Sequence, residues 1–161
     1  MKKFKLFSLL LLSIGMFFAG CQKDKIATDP VKIHWDRDVC QRCKMAISER
    51  KYAFEVVNPH NGKVYKFDDI GCGLLWMGET KISWIDDAVL WVSDAKNGKW
   101  INARKAYYTD ESITPMAYGI AAYSKEDVPK NSKTIDFAKA KKIVYKIEKL
   151  NMQKLKEMRK Q

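Results

Sequence analysis

The chain has 161 residues, with 30 Lys and Arg against 19 Asp and Glu and a formal net charge of +11. That length fits one domain with a sizeable core. Part of the charge sits in Lys2, Lys3 and Lys5 and much of the rest after residue 125, so the basicity is polarised toward the two ends.

The chain opens with "MKK", a positive start, and "LFSLLLLSIGMFF", an apolar run of signal-peptide length. The run is shorter than the roughly 20 apolar residues that a membrane span needs. "FAGC" follows, with two small residues before Cys21, and resembles a bacterial lipobox. The resemblance implies removal of residues 1–20 and a diacylglycerol thioether on Cys21. Losing the three early lysines lowers the net charge to +8. By similarity to lipoprotein sorting rules, Gln22 favours an outer-membrane or surface address over inner-membrane retention. The expected location is a membrane-anchored lipoprotein facing the periplasm or the cell exterior. An exported lipoprotein does not meet nucleic acid. Residues 21–33 are polar with a proline and read as a lipidated tether.

The domain is expected over residues 34–135. "YAFEVVNPHNGKVYKFDD" reads as a hairpin, with strands over 52–57 and 63–67 and turn chemistry in "PHNG". Asp68 or Asp69 can cap a short apolar helix, "IGCGLLWMG". "AVLWVSDAKNGKWINARKAYYT" is again strand, turn and strand, and "NGK" at 61–63 recurs at 97–99. "TPMAYGIAAYS" reads as a loop leading into a further strand. Residues 52–78 and 88–123 thus read as two diverged copies of one unit. Residues 136–161 carry Phe137, Ala140, Val144, Ile147, Asn151 and Leu155 at helical spacing, with basic residues on the other face. The fold class is α+β: two related β-hairpin (ββα-type) units packed as one domain, with a long C-terminal helix. The basic helix face suits anionic headgroups or an acidic protein, and its last two turns are expected to overhang.

With Cys21 as anchor, Cys40, Cys43 and Cys72 remain, an odd number in an exported chain. A pure disulfide framework leaves one thiol over. "CQRCKM" packs Cys40, Cys43 and Met45 into six positions. A zinc site wants about four Cys or His ligands, and only one C-x-x-C pair is visible beside Cys72, His34 and His60. A redox pair wants C-x-x-C after a strand at a helix start, a context that "HWDRDVCQRCKMAI" lacks. Arg42 between the thiols would favour thiolate. A structural Cys40–Cys43 disulfide is a third reading. Cu(I) accepts thiolate and thioether ligands, and a thioether does not form disulfides in an oxidising compartment. Cys43 and Met45 are the leading ligands, Cys40 the next, and His34 and Cys72 further candidates. Cys72 also reads as a small core residue in its helix, and His60 as a solvated turn residue.

"DVCQRCKMAI", "GKVYKFDDIGCGLLW", "AYYT" and "TPMAYGIAAYS" together resemble the NosL family of copper-binding lipoproteins over roughly residues 34–125. The resemblance implies a Cu(I) chaperone in maturation of nitrous oxide reductase, built from two related ββα-type halves. The family's C-x-x-C-x-M falls on Cys40, Cys43 and Met45, and its second-half methionine on Met116. Where the family has glycine after the second cysteine this chain has Lys44, and after the second methionine it has Ala117. Lys44 would place positive charge beside the metal. The expected function is therefore binding, not catalysis. A lipid-anchored Cu(I) chaperone would serve apo-nitrous oxide reductase or another copper client, with a membrane copper transporter as a further partner. The competing class is an extracytoplasmic thiol–disulfide redox protein using Cys40 and Cys43.

Overall fold

The computed structural model describes residues 26–160, so the expected signal segment and Cys21 lie outside the described residues. Strands β1 (Phe54–Val57) and β2 (Val64–Phe67) form one antiparallel hairpin. Strands β3 (Val89–Ser93) and β4 (Trp100–Asn102) form another. Their turns are built alike. In the first, the Asn58 N–H donates to the Lys63 carbonyl and the Gly62 N–H to the Asn58 carbonyl. Asn58 Oδ1 accepts from the His60 N–H, and Asn61 Oδ1 from the Lys63 N–H. Asp94, Lys96, Asn97, Gly98 and Lys99 repeat those four bonds in the second. Gly62 (φ 71°) and Gly98 (φ 73°) supply the left-handed residue that both turns require. The recurring "NGK" therefore marks a recurring turn geometry.

The hairpins join edge to edge. β1 pairs antiparallel with β3, with Phe54 opposite Val92, giving the sheet order β2-β1-β3-β4. Only the first hairpin is followed by an α-helix, α1 (Ile70–Glu79). The second runs into a 3-10 turn at Ala103–Lys105 and then a small antiparallel sheet of β5 (Tyr107–Thr109) and β6 (Ala121–Tyr123). Its sequence, "ARKAYYTDESITP", favours extended chain and ends in Pro115, which stops a helix.

Asp69 is the cap of α1, accepting from the Gly71 N–H at 2.7 Å. The helix glycines cost propensity but admit aromatic rings. A Cβ on Gly71 would lie 2.1 Å from the Tyr118 ring, and one on Gly73 2.1 Å from the Phe54 ring. The long helix α2 (Phe137–Met158) starts at Asp136, which accepts from the Lys139 N–H at 2.8 Å. It packs on α1 and β5 through Ala140 and Val144, and the Tyr145 hydroxyl donates to the Leu74 carbonyl at 3.0 Å. From Lys149 to Lys160 every side chain is exposed, Leu150, Leu155 and Met158 among them, so the helix does overhang. Among the described residues no helix is long and apolar enough to cross a membrane.

The end of the stretch expected as a tether is bound to the sheet. The Thr28 carbonyl accepts from Trp91 Nε1 at 2.8 Å, the Val31 N–H donates to Glu55 Oε2 at 3.0 Å, and Lys66 Nζ donates to the Lys32 carbonyl at 2.9 Å. Glu55, on β1, lies under this strap fully buried, with Oε1 lacking any hydrogen-bond partner. Burial pushes its carboxyl up to about 7.

Candidate metal centre

A tight loop carries the first two thiols. Val39 and Ala46 form a bridge, the Cys40 N–H donates to the Met45 carbonyl at 2.8 Å, and the Lys44 N–H donates to the Cys40 carbonyl at 3.1 Å. The Gln41 N–H donates to the Lys66 carbonyl at 2.8 Å, which ties the loop to β2. Closing the turn puts Lys44 at φ 65°, a conformation that costs a side-chain-bearing residue roughly 1–2 kcal/mol.

The chain then leaves β2 through Asp68 and Asp69 into α1, and Cys72 occupies the first turn of that helix. One Sγ each from Cys40, Cys43 and Cys72 and a carboxylate oxygen of Asp68 lie within 4.8 Å of one another. A metal–sulfur bond of about 2.3 Å sets sulfurs about 3.8 Å apart in a tetrahedral site and about 4.6 Å apart in a linear one. The group is thus near metal-binding dimensions already. Cys40, Cys72 and Asp68 are buried, while Cys43 is half-buried and gives the group its exposed side.

The four groups share protons as a unit. The Cys72 thiol, followed by the backbone amides at Cys43 and Asp68, pulls Cys40 far below the ordinary thiol range despite its burial. The same bond to Cys40, followed by burial, holds the proton on Cys72. Burial pushes Cys43 up to about 11, and its Sγ lies 3.6 Å from Asp68 Oδ1. Burial first and Cys40 second push Asp68 up to about 6. Confined anionic donors of this kind favour a bound cation, which neutralises charges that otherwise repel.

The expected roles of the two cations are corrected by the geometry. Lys44 Nζ donates to the Gln41 carbonyl at 2.6 Å, and the Arg42 guanidinium is engaged by Glu79 and Glu148, so the Cys40 thiolate depends on Cys72 and backbone amides instead. His34 and His60 are absent from the four-donor group. His34 Nδ1 lies 3.6 Å from Asp38 Oδ1 on an exposed turn, and the His60 N–H serves the hairpin turn. Met45 is 47 % exposed, two residues beyond Cys43. Met116 is half-buried against the core, and its N–H donates to Asp69 Oδ2 at 3.2 Å. That bond holds the "TPMA" loop against the start of α1, beside Asp68. Ala117, directly after it, is left-handed at φ 57°. Lys44 and Ala117 thus both hold a conformation that glycine adopts freely.

Sequence reasoning read Asp68 only as an alternative helix cap. Asp69 takes the cap in extended backbone, outside the helical register, so no spacing rule linked Asp68 to Cys72; only the fold brings the Asp68 carboxylate to the thiols. Four donors therefore converge without a second C-x-x-C, and donor number no longer argues against zinc.

No family model matches this chain, and no curated protein matches it. Among solved structures it is similar to the crystal structure of the copper chaperone NosL from Shewanella denitrificans. The TM-score is 0.54 at 18 % identity, over 70 % of this chain and 95 % of that one. At that identity the likeness is one of fold.

Proposed function

We propose that this chain is a Cu(I)-binding chaperone, anchored through lipid on Cys21, which carries copper to an extracytoplasmic client. The observation that carries the reading is the convergence of Cys40, Cys43 and Cys72 at one point in a fold shared with a copper chaperone. Three sulfurs and a carboxylate bias the site toward a soft cation, and buried thiolates keep Cu(I) from water. The exposed side suits delivery. Cys43 and Met45 are the donors a partner reaches first, and a thioether is a weak ligand that a competing thiolate displaces. Met116, whose backbone N–H binds Asp69 at the start of α1, is read as a further thioether donor. Nitrous oxide reductase or another copper enzyme is the client, and a membrane copper transporter is a source of the metal. The address is the periplasm or cell exterior, with the outer membrane favoured where the cell has one.

The thiol–disulfide reading is weaker on this geometry. A redox nucleophile needs an exposed thiol of low pKa. Here the low pKa belongs to buried Cys40, and half-buried Cys43, the more accessible thiol, keeps its proton.

The test is anaerobic titration against a competing Cu(I) chelator. About one equivalent of Cu(I) is expected to bind, far more tightly than zinc. Stoichiometric tight zinc with no preference for copper would refute the assignment.

A further inference from the structure

Arg42 sits in the metal loop between the two thiols, yet its side chain reaches away to three other parts of the fold. Nε donates to Glu79 Oε1 at 3.0 Å and Nη2 donates to the same oxygen at 2.8 Å, at the end of α1. Nη2 also donates to Glu148 Oε1 at 2.7 Å, on α2. Nη1 donates to the Tyr118 hydroxyl at 3.3 Å, and that hydroxyl donates to Glu148 Oε2 at 2.9 Å. Tyr118 lies two residues beyond Met116, and its ring fits over α1 because residue 71 is glycine. One guanidinium thus ties the loop of Cys40 and Cys43 to the helix of Cys72, to the Met116 loop and to the C-terminal helix. The Arg42 and Glu148 side chains are largely buried, at 18 % and 24 % exposure, so this pair is less screened than an exposed one. Glu79 is 53 % exposed and contributes less. Glu148 is also the last partly covered residue of α2 before the exposed overhang begins.

We propose that Arg42 is a positioning residue whose bonds to Glu148 and Tyr118 hold the thiol loop closed, so that displacement of the C-terminal helix opens the metal site and releases its cargo. The inference rests on the copper-binding reading for its purpose, but the clamp itself is a property of the apo-protein. Any partner that captures the overhang applies its force next to Glu148. Release is then coupled to docking, and copper is retained while the chaperone is alone.

The experiment compares Glu148→Gln and Arg42→Lys with wild type and with Tyr145→Phe. The last removes the Tyr145–Leu74 bond, which lowers stability, and leaves in place the Arg42 bonds to Glu148 and Tyr118 that hold the helix over the loop. Two rates are read: alkylation of Cys43 by iodoacetamide in the reduced apo-protein, and transfer of Cu(I) to a chelator. Glu148→Gln and Arg42→Lys are expected to raise both roughly tenfold, a coupling of ordinary size for linked sites. Tyr145→Phe is expected to lower the melting temperature while leaving both rates near wild type. Unchanged rates in Glu148→Gln and Arg42→Lys would overturn the clamp. So would equal acceleration by Tyr145→Phe, which would make the effect one of general stability. If wild type binds no Cu(I), the copper reading fails, and alkylation alone still decides the clamp. If Glu148→Gln does not fold, Arg42→Lys and Tyr118→Phe decide it by the same readouts.

Discussion

Glu55→Gln should make the protein more stable at neutral pH, and the size follows from where Glu55 sits. Its carboxyl is fully buried beneath the strap of residues 28–32, with one oxygen bonded to Val31 and the other unpartnered. Burial raises it from 4.5 to about 7. Above pH 5 the unfolded chain has lost this proton while the folded chain keeps it. The fold binds more protons, so stability falls as pH rises. The contribution is fully present below about 4.5 and lost by the time the pH passes about 7. The two values differ enough to cost about 3 kcal/mol, since each tenfold change in proton affinity is worth about 1.4 kcal/mol. Glutamine keeps the shape and carries no charge. Thermal unfolding of wild type and Glu55→Gln, followed by circular dichroism from pH 4.5 to 8.5, isolates this residue in the difference. The curves should meet near pH 4.5 and separate in favour of Gln by roughly 10 °C at pH 8. A difference that is flat with pH, or that favours Glu at pH 8, refutes the reasoning.

Three other outcomes are expected. Met116→Leu conserves volume, so unfolding should shift by less than about 1.5 kcal/mol, while chelator competition shows weaker Cu(I) binding; equal affinity would remove Met116 from the site. Ala117→Gly relieves a left-handed backbone at φ 57° and should raise the denaturant midpoint by an amount worth about 1 kcal/mol, with Cu(I) stoichiometry unchanged; a lower midpoint would show that the loop tolerates Ala117 without strain. Cys72→Ala removes a buried donor that the sequence also allowed as core filler, and chelator competition should show at least a tenfold loss of Cu(I) affinity; wild-type affinity would return Cys72 to the core.

What the sequence made legible was local. Both turns announced themselves through "NGK", because only a few residues satisfy a loop that needs a left-handed position and Asn side chains folded back on the main chain. The two helices followed from capping aspartates and apolar spacing. The pairing of β1 with β3 was not readable, because each hairpin is self-consistent alone and nothing local says which edges meet. The same limit hid the engagement of Arg42, whose charge suggested help to the thiols before its carboxylate partners were visible. In the site, Cys40, Cys43 and the likeness of "CQRCKM" to a soft-metal loop were plain. Asp68 was not, because two adjacent aspartates before a helix compete for one capping role and only the structure shows which is spare.

The clamp and the thiol group differ in how far apart their parts lie along the chain. Cys43 and Asp68 are 25 residues apart, whereas Arg42 and Glu148 are 106 apart. Closing the longer loop costs about 1 kcal/mol more chain entropy, and it cannot happen before the C-terminal helix exists. The thiol group can therefore gather in a chain whose last helix has not yet docked. The clamp completes only when that helix packs on α1, so the order of assembly is written into the spacing of the partners along the chain.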